Sequence, residues 1–115
     1  MEIIKLLNLE FSTADAEYPS IHQEEGDLLV DFKDWQEKVV KLHFSDIVAF
    51  KWQMLFDLHE GERDDCCYEI HGSSWLIKHV QSEIINDHEG YKHYRLNFNE
   101  VGQLDVIAIN LRVRT

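Results

Sequence analysis

Apolar and polar residues alternate along much of this chain, and a period of two predicts strands. Leu28, Val30 and Phe32 fall on one side of a first such segment, Asp31 and Lys33 on the other. Val40, Leu42 and Phe44 repeat the pattern with Lys41 and His43 facing out, and Asp34-Trp35-Gln36-Glu37 between the two reads as a hairpin connection. Val48, Phe50, Trp52 and Met54 mark a third strand, set off by the turn formers Ser45 and Asp46. The charged stretch from Asp57 to Asp65, with Gly61 inside it, predicts a loop. Cys67 to His71 predicts a short strand stopped by Gly72. Ser73 and Ser74 offer a helix N-cap, and Trp75, Leu76, His79, Val80 and Ile84 recur at roughly helical spacing, so a short helix begins near Ser74. Ile84-Ile85 fits either the end of that helix or the start of a strand, and Asn86 to Gly90 reads as a turn.

Further on, Tyr94, Leu96 and Phe98 alternate with His93, Arg95 and Asn97. Asn99-Glu100-Val101-Gly102 forms a turn in which Gly102 suits a positive φ. Leu104 and Val106 then open one phase, while Ile107, Ile109, Leu111 and Val113 continue in the other. Such a change of phase predicts a β-bulge, or a central strand buried on both faces. Ile3 to Phe11 leans towards a strand, and residues 12–26, with Pro19 and Gly26, read as a polar loop. Together these elements predict a mainly β, β-rich α+β domain. It is an antiparallel sheet of six or seven strands forming a sandwich or partial barrel, with one short helix. Val30, Phe32, Val40, Leu42, Phe44, Tyr94, Leu96 and Phe98 are its expected common core.

Length and composition narrow this picture. At 115 residues the chain is one domain, 1–115, and 44% hydrophobic residues place it among globular sequences. The formal charge of −11 comes from 22 acids against 11 lysines and arginines. It argues against nucleic acid and anionic membrane surfaces as partners, since both need basic patches. No apolar run reaches the ~20 residues of a membrane helix, and the first ten residues lack the basic start and unbroken apolar block of a signal peptide. The two cysteines, Cys66 and Cys67, are adjacent, poorly placed to bridge each other, and fit a reducing, cytoplasmic setting. Charge is also uneven: residues 1–37 carry −8, residues 38–55 carry +2, residues 56–72 carry −5, and the remainder balances. The acidic stretches are either solvated loops that keep the domain soluble or a face for a basic partner.

Seven histidines raise the question of chemistry. His71 and His79 with Cys66 and Cys67, joined by Asp64 or Asp65, are the best candidate metal group, but their spacing matches no zinc pattern, and no metal or cofactor is expected. Outward strand histidines such as His43 and His93 read as surface residues. His88 beside Asp87 and Glu89 suggests a general base, or more simply a solvated turn. Gly72-Ser73-Ser74 lacks the first glycine of a nucleophile elbow, and Asp64 and Asp65 would raise the pKa of a nucleophilic Cys66. No catalytic residues are assigned. Among the tryptophans, Trp52 and Trp75 suit a core, whereas Trp35 lies near a hairpin tip.

The segments Tyr68 to Leu76, His93 to Asn99 and Gly102 to Ala108 form a strand-helix-hairpin layout. It resembles small acidic uncharacterised domains of Gram-positive bacteria, some of them immunity-type proteins. The resemblance covers about half the chain and carries no chemical motif, so it implies a possible role without assigning residues. The expected function is a non-enzymatic protein-binding module, an immunity or inhibitor protein among its possible roles, acting on a basic protein. Its expected surface is formed by Glu24, Glu25, Asp27, Asp31 and Asp34 around an exposed Trp35. The alternative is a small-ligand-binding or hydrolytic domain with a pocket lined by histidine and tryptophan.

Overall fold

The computed structural model describes residues 1–82 and 89–114. The chain folds into two open antiparallel sheets packed face to face. In chain order the elements are β1 (Ile3–Leu6), β2 (Ser20–Glu24), β3 (Asp27–Lys33), β4 (Val39–Ser45), β5 (Ala49–Gln53), β6 (Cys67–His71), α1 (Ser74–Gln81), β7 (Lys92–Phe98), β8 (Gly102–Ala108) and β9 (Asn110–Val113). One sheet has the order β1-β6-β7-β8-β5, the other β2-β3-β4-β9. The mainly β sandwich with one short helix is therefore as predicted, and neither sheet closes into a barrel. Among the described residues nine strands replace the expected six or seven. Residues 20–24, read as part of a polar loop, pair with β3 through backbone bonds that need no apolar side chains. The ribbon after Gly102 divides into β8 and β9, which belong to different sheets.

That division explains the change of phase. β4 and β5 cross from one sheet to the other beside β8 and β9, tied at the corner by Val48 N–H to Ile107 O (2.9 Å) and Ile109 N–H to Ser45 O (3.0 Å). Leu104, Val106 and Ala108 face the core from the first sheet, and Leu111 and Val113 from the second. Every residue of β8 is buried, so the predicted strand covered on both faces is found, while the phase itself changes between Ala108 and Leu111, where the chain passes to the other sheet.

All eight predicted core residues are buried in one cluster between the sheets. Its aromatic rings join the layers edge to face: Phe32 on Phe98 at 5.1 Å and Phe44 on Tyr94 at 5.7 Å between ring centroids. Trp52 packs on Phe98 from the edge strand β5. Gly102 is needed for that contact rather than for a left-handed turn, because a Cβ there would lie 2.4 Å from the Trp52 ring. The positive φ of the turn belongs to Glu100 (64°). Gly72 does take a left-handed conformation, and a Cβ would meet the Met1 carbonyl oxygen at 2.5 Å, so the chain can end β6 and enter α1 only with glycine here. Ser73 caps α1, its Oγ accepting from Leu76 N–H. The predicted extension to Ile84-Ile85, most of the turn at Asn86 to Gly90, and the Asp87 and His88 positions lie outside the described residues. Among the described residues no helix is long and apolar enough to cross a membrane.

Candidate functional site

The outer face of the four-stranded sheet holds most of the predicted acidic surface. Asp27, Leu29, Asp31 and Lys33 alternate outward along β3, opposite the buried Leu28, Val30 and Phe32. Glu24 and Glu25 join Asp27 at the β2–β3 turn, while Asp34 and Trp35 lie at the β3–β4 turn. Seven residues of strand hold these two groups about 20 Å apart, so the five acids do not all gather around Trp35. Between them the acids have partners. Asp27 Oδ2 lies 2.7 Å from His43 Nε2, and Arg112 reaches the other nitrogen of that ring. Asp27 titrates below the usual carboxylate range, first because it accepts from Asp46 N–H and then because of His43. Asp31 is paired with Arg114. Asp34 Oδ1 accepts from both Gln36 N–H and Lys38 N–H (2.9 Å each), shaping the turn that displays Trp35.

Trp35 itself is 61% exposed, and Val39 beside it is 58% exposed. They border a shallow open cleft of about 440 Å³ whose apolar walls include Leu9, Phe11, Val40 and Val113, with Lys38 and Lys41 at its rim. A second shallow cleft, at the far end of β3, is lined by Glu24, Glu25, Asp27, Asp46 and His43.

The predicted cysteine and histidine group is dispersed. His71 pairs with Glu69 at the exposed end of β6, and His79 bonds the Trp75 carbonyl one helical turn back. Cys67 faces the core, where burial pushes its thiol up to about 12. Cys66 is also raised, by partial burial and then by Asp65. Neither is an activated nucleophile. Among the described residues no set of three or more His, Cys, Asp or Glu side chains is arranged to hold a metal ion.

The unexpected feature lies on the outer face of the five-stranded sheet. His93, Arg95 and Asn97 of β7 and Gln103 and Asp105 of β8 point away from the core, yet all are buried. This corrects the reading of His93 as a surface residue. The β5–β6 connection and α1 lie over these strands and exclude water. Ser73 Oγ contacts His93 Nδ1 (2.7 Å), and His93 Nε2 contacts Asp105 Oδ1 (2.6 Å). Arg95 Nε also donates to Asp105 Oδ1 (2.8 Å), and Trp75 stands edge-on to the His93 ring. From the loop above, Glu62 accepts from Arg95 Nη1 (3.1 Å) and Asn97 Nδ2 (2.7 Å). Burial by itself would raise the carboxyls of Asp105 and Glu62. Hydrogen bonds from His93 to the first and from Asn97 to the second, together with the Arg95 charge, outweigh it and hold both below the usual range.

A serine, a histidine and an aspartate in series invite comparison with a hydrolase triad, but the geometry differs in three ways. Serine contacts Nδ1 and aspartate Nε2, the reverse of the usual order. Ser73 is 1% exposed, and its oxygen is engaged by the helix cap. Finally, the Ser74 N–H, at the place where an oxyanion would need a donor, already binds the Glu2 carboxylate at 2.8 Å. The series is suited to joining α1 to the sheet. Sequence reasoning missed it because its members are distant along the chain and none belongs to a motif. The available signal was a run of polar residues at alternate positions in both strands of one hairpin. Compared with protein-family models, curated proteins and solved structures, the chain matches none.

Proposed function

We propose that this chain is a non-enzymatic protein-binding module that engages a basic partner through the face around the β3–β4 turn, with Trp35 as the anchor. A role as an inhibitor or immunity protein fits this reading. The observation that carries it is the exposure of Trp35: a large ring held out on a turn braced by Asp34, beside an apolar cleft, is the shape of an interface hot spot. The charge of −11 favours a basic partner and acts mainly on the rate of encounter. Glu24 and Glu25 of the β2–β3 turn, which have no ion-pair partner among the described residues, are freer to steer it than Asp27, Asp31 and Asp34. Two free cysteines fit a cytoplasmic setting.

The test is capture from a lysate of the source organism followed by association kinetics with the captured protein. Trp35→Ala should weaken binding by about 2 kcal/mol or more, chiefly through faster dissociation. Glu24→Lys with Glu25→Lys should slow association and flatten its salt dependence. Unchanged kinetics in Trp35→Ala would remove the Trp35 face from the function, and unchanged kinetics in the double variant would remove the β2–β3 turn as the steering group. The hydrolytic alternative would have to use the Ser73–His93–Asp105 series, whose nitrogen order and burial count against it. It requires ester or amide hydrolysis that disappears in a folded Ser73→Ala variant.

A further inference from the structure

The loop Asp57–Asp65 covers the polar face of β7 and β8 in an unusual way. Glu62 is its one buried residue; Leu58, its one large apolar side chain, is 42% exposed. Polar contacts alone therefore hold it down, and a segment without buried apolar area opens at lower free energy than the core. Its principal contact is the Glu62 carboxylate, which fills a ring of donors. Oε1 accepts from Arg95 Nη1 (3.1 Å), His59 N–H (3.1 Å) and His59 Nδ1 (3.0 Å). Oε2 accepts from Asn97 Nδ2 (2.7 Å), with Gln103 Nε2 at 3.4 Å. Of these donors Arg95, Asn97 and Gln103 stand on the rigid sheet, and only His59 travels with the loop.

His59 also bridges to the N-terminal segment, its Nε2 lying 2.8 Å from Glu2 Oε1. Both ring nitrogens thus face carboxylate oxygens, and only an imidazolium donates to both. Among the described residues the charged groups facing this ring are Glu2 ahead of β1, Glu62 in the loop, and Arg95 on β7, whose Nη1 is 3.3 Å from Nδ1. The neutral ring can still hydrogen-bond Glu2 and accept from Arg95, but it loses its link to Glu62 within the loop and, with its charge, the ion pair to Glu2 that ties the loop to the N-terminal segment.

We propose that Asp57–Asp65 is a flap latched by protonated His59, and that the floor beneath it, formed by Arg95, Asn97 and Gln103, is a carboxylate-binding site that Glu62 occupies from within. A guanidinium flanked by two amide donors on adjacent strands is suited to a carboxylate and offers nothing to a cation. Asn97 is oriented for the role, since its Oδ1 accepts from Gln103 Nε2 at 2.8 Å and so turns its Nδ2 towards the carboxylate. His59 titrates above the usual imidazole range, first because of Glu2 and despite partial burial. The latch is therefore whole below the ordinary imidazole pKa and is lost as pH rises through the raised one. Opening uncovers the floor to a small carboxylate from solution.

Two measurements decide the matter. The first is hydrogen exchange of the wild-type chain between pH 6 and pH 9, corrected for intrinsic rates. The flap amides should lose protection by up to about tenfold per pH unit above the His59 midpoint, as one released proton requires, while β7 and β8 stay protected. In His59→Gln the flap should show no such pH dependence. Flap protection that is constant with pH in the wild type, or equally pH-dependent in His59→Gln, overturns the latch. The second is rescue of Glu62→Ala by sodium acetate at pH 7. Its thermal midpoint should rise by about 2–5 °C and saturate, whereas sodium chloride of equal ionic strength and acetamide should do less. Equal effects of acetate and chloride overturn the site. If Glu62→Ala does not fold, acetate titrated into the wild type at pH 9 takes its place. Side-chain N–H resonances of Arg95, Asn97 and Gln103 that shift saturably support the site, and resonances that stay fixed refute it.

Discussion

Single residues in this protein often occupy backbone conformations for which they are poorly suited. Among the described residues the non-glycine ones with positive φ are Asp15, Glu25, Glu37, Asp46 and Glu100, all acidic and all exposed. Glutamate gains little in this region, where its Cβ crowds the backbone. Glu100 is the simplest case, because its turn is tied by Val101 N–H to Phe98 O (2.9 Å) and its own side chain is in solvent. Glu100→Gly should therefore stabilise the fold by about 0.5–1 kcal/mol, although glycine loosens the unfolded chain. The check is urea denaturation: a midpoint that does not rise refutes strain at this turn. The sequence points to the turn itself. It does not show which residue bears the positive φ, since Gly102 is the obvious candidate by composition and is instead reserved for the Trp52 ring.

At the scale of elements, the elements are joined by a few polar residues acting across long separations. Glu2 is the clearest. Its Oε2 accepts from Ser74 N–H (2.8 Å) and from Ser74 Oγ (3.1 Å), while Oε1 faces His59, so one carboxylate links the segment before β1, the start of α1 and the flap. Partial burial raises its pKa, but the Ser74 N–H and His59 outweigh that and bring it from 4.5 to about 2. A carboxyl with a depressed folded pKa contributes stability above its unfolded pKa and loses it as pH falls through the folded one. Glu2 should thus support the fold at pH 5 and above, and cease to do so between about pH 4.5 and pH 2. Glu2→Gln should lower stability by about 1–2 kcal/mol at pH 6, the partial exposure of Glu2 keeping the effect modest, and should soften the acid slope. Parallel stability curves for the variant and the wild type from pH 6 to pH 2.5 would show that Glu2 is not such a link. Nothing in the sequence around Glu2 marks it, for its partners lie 57 and 72 positions away.

For the whole molecule, stability depends on one core shared by two open sheets. Phe98 sits at its centre, fully buried, touching Phe32 from the opposite sheet and Trp52 from the edge of its own. Phe98→Ala should cost about 3–5 kcal/mol, a large part of the 5–15 kcal/mol typical of a domain, and the loss should appear in one cooperative transition reported alike by tryptophan fluorescence and circular dichroism. A loss below about 1 kcal/mol, or two separate transitions, would mean that the sheets do not share this core. The open edges are handled by charge: β1, β2, β5 and β9 carry Lys5, Glu24, Lys51 and Arg112, which discourage pairing with another strand.

Alternation alone pointed to strands near 27–33, 39–45, 49–53, 67–71, 92–98 and 102–108, and in the strands at 27–33, 39–45 and 92–98 it also gave the side that enters the core, because the pleat is a local property of the backbone. The serine cap of α1 was equally legible, for capping involves neighbours three residues apart. Only the tertiary structure decided what meets the other side of each strand. His43 and His93 stand at equivalent outward positions in patterns that look alike, yet one remains partly exposed and the other is sealed beneath the start of α1. That difference depends on where Ser73 and α1, twenty residues away in sequence, come to rest. The same dependence brings Glu62 to Arg95 and Ser73 to His93, and it leaves Trp35 in solvent. Periodicity records which way a side chain points from its own strand; chain segments distant in sequence determine whether water is there to meet it.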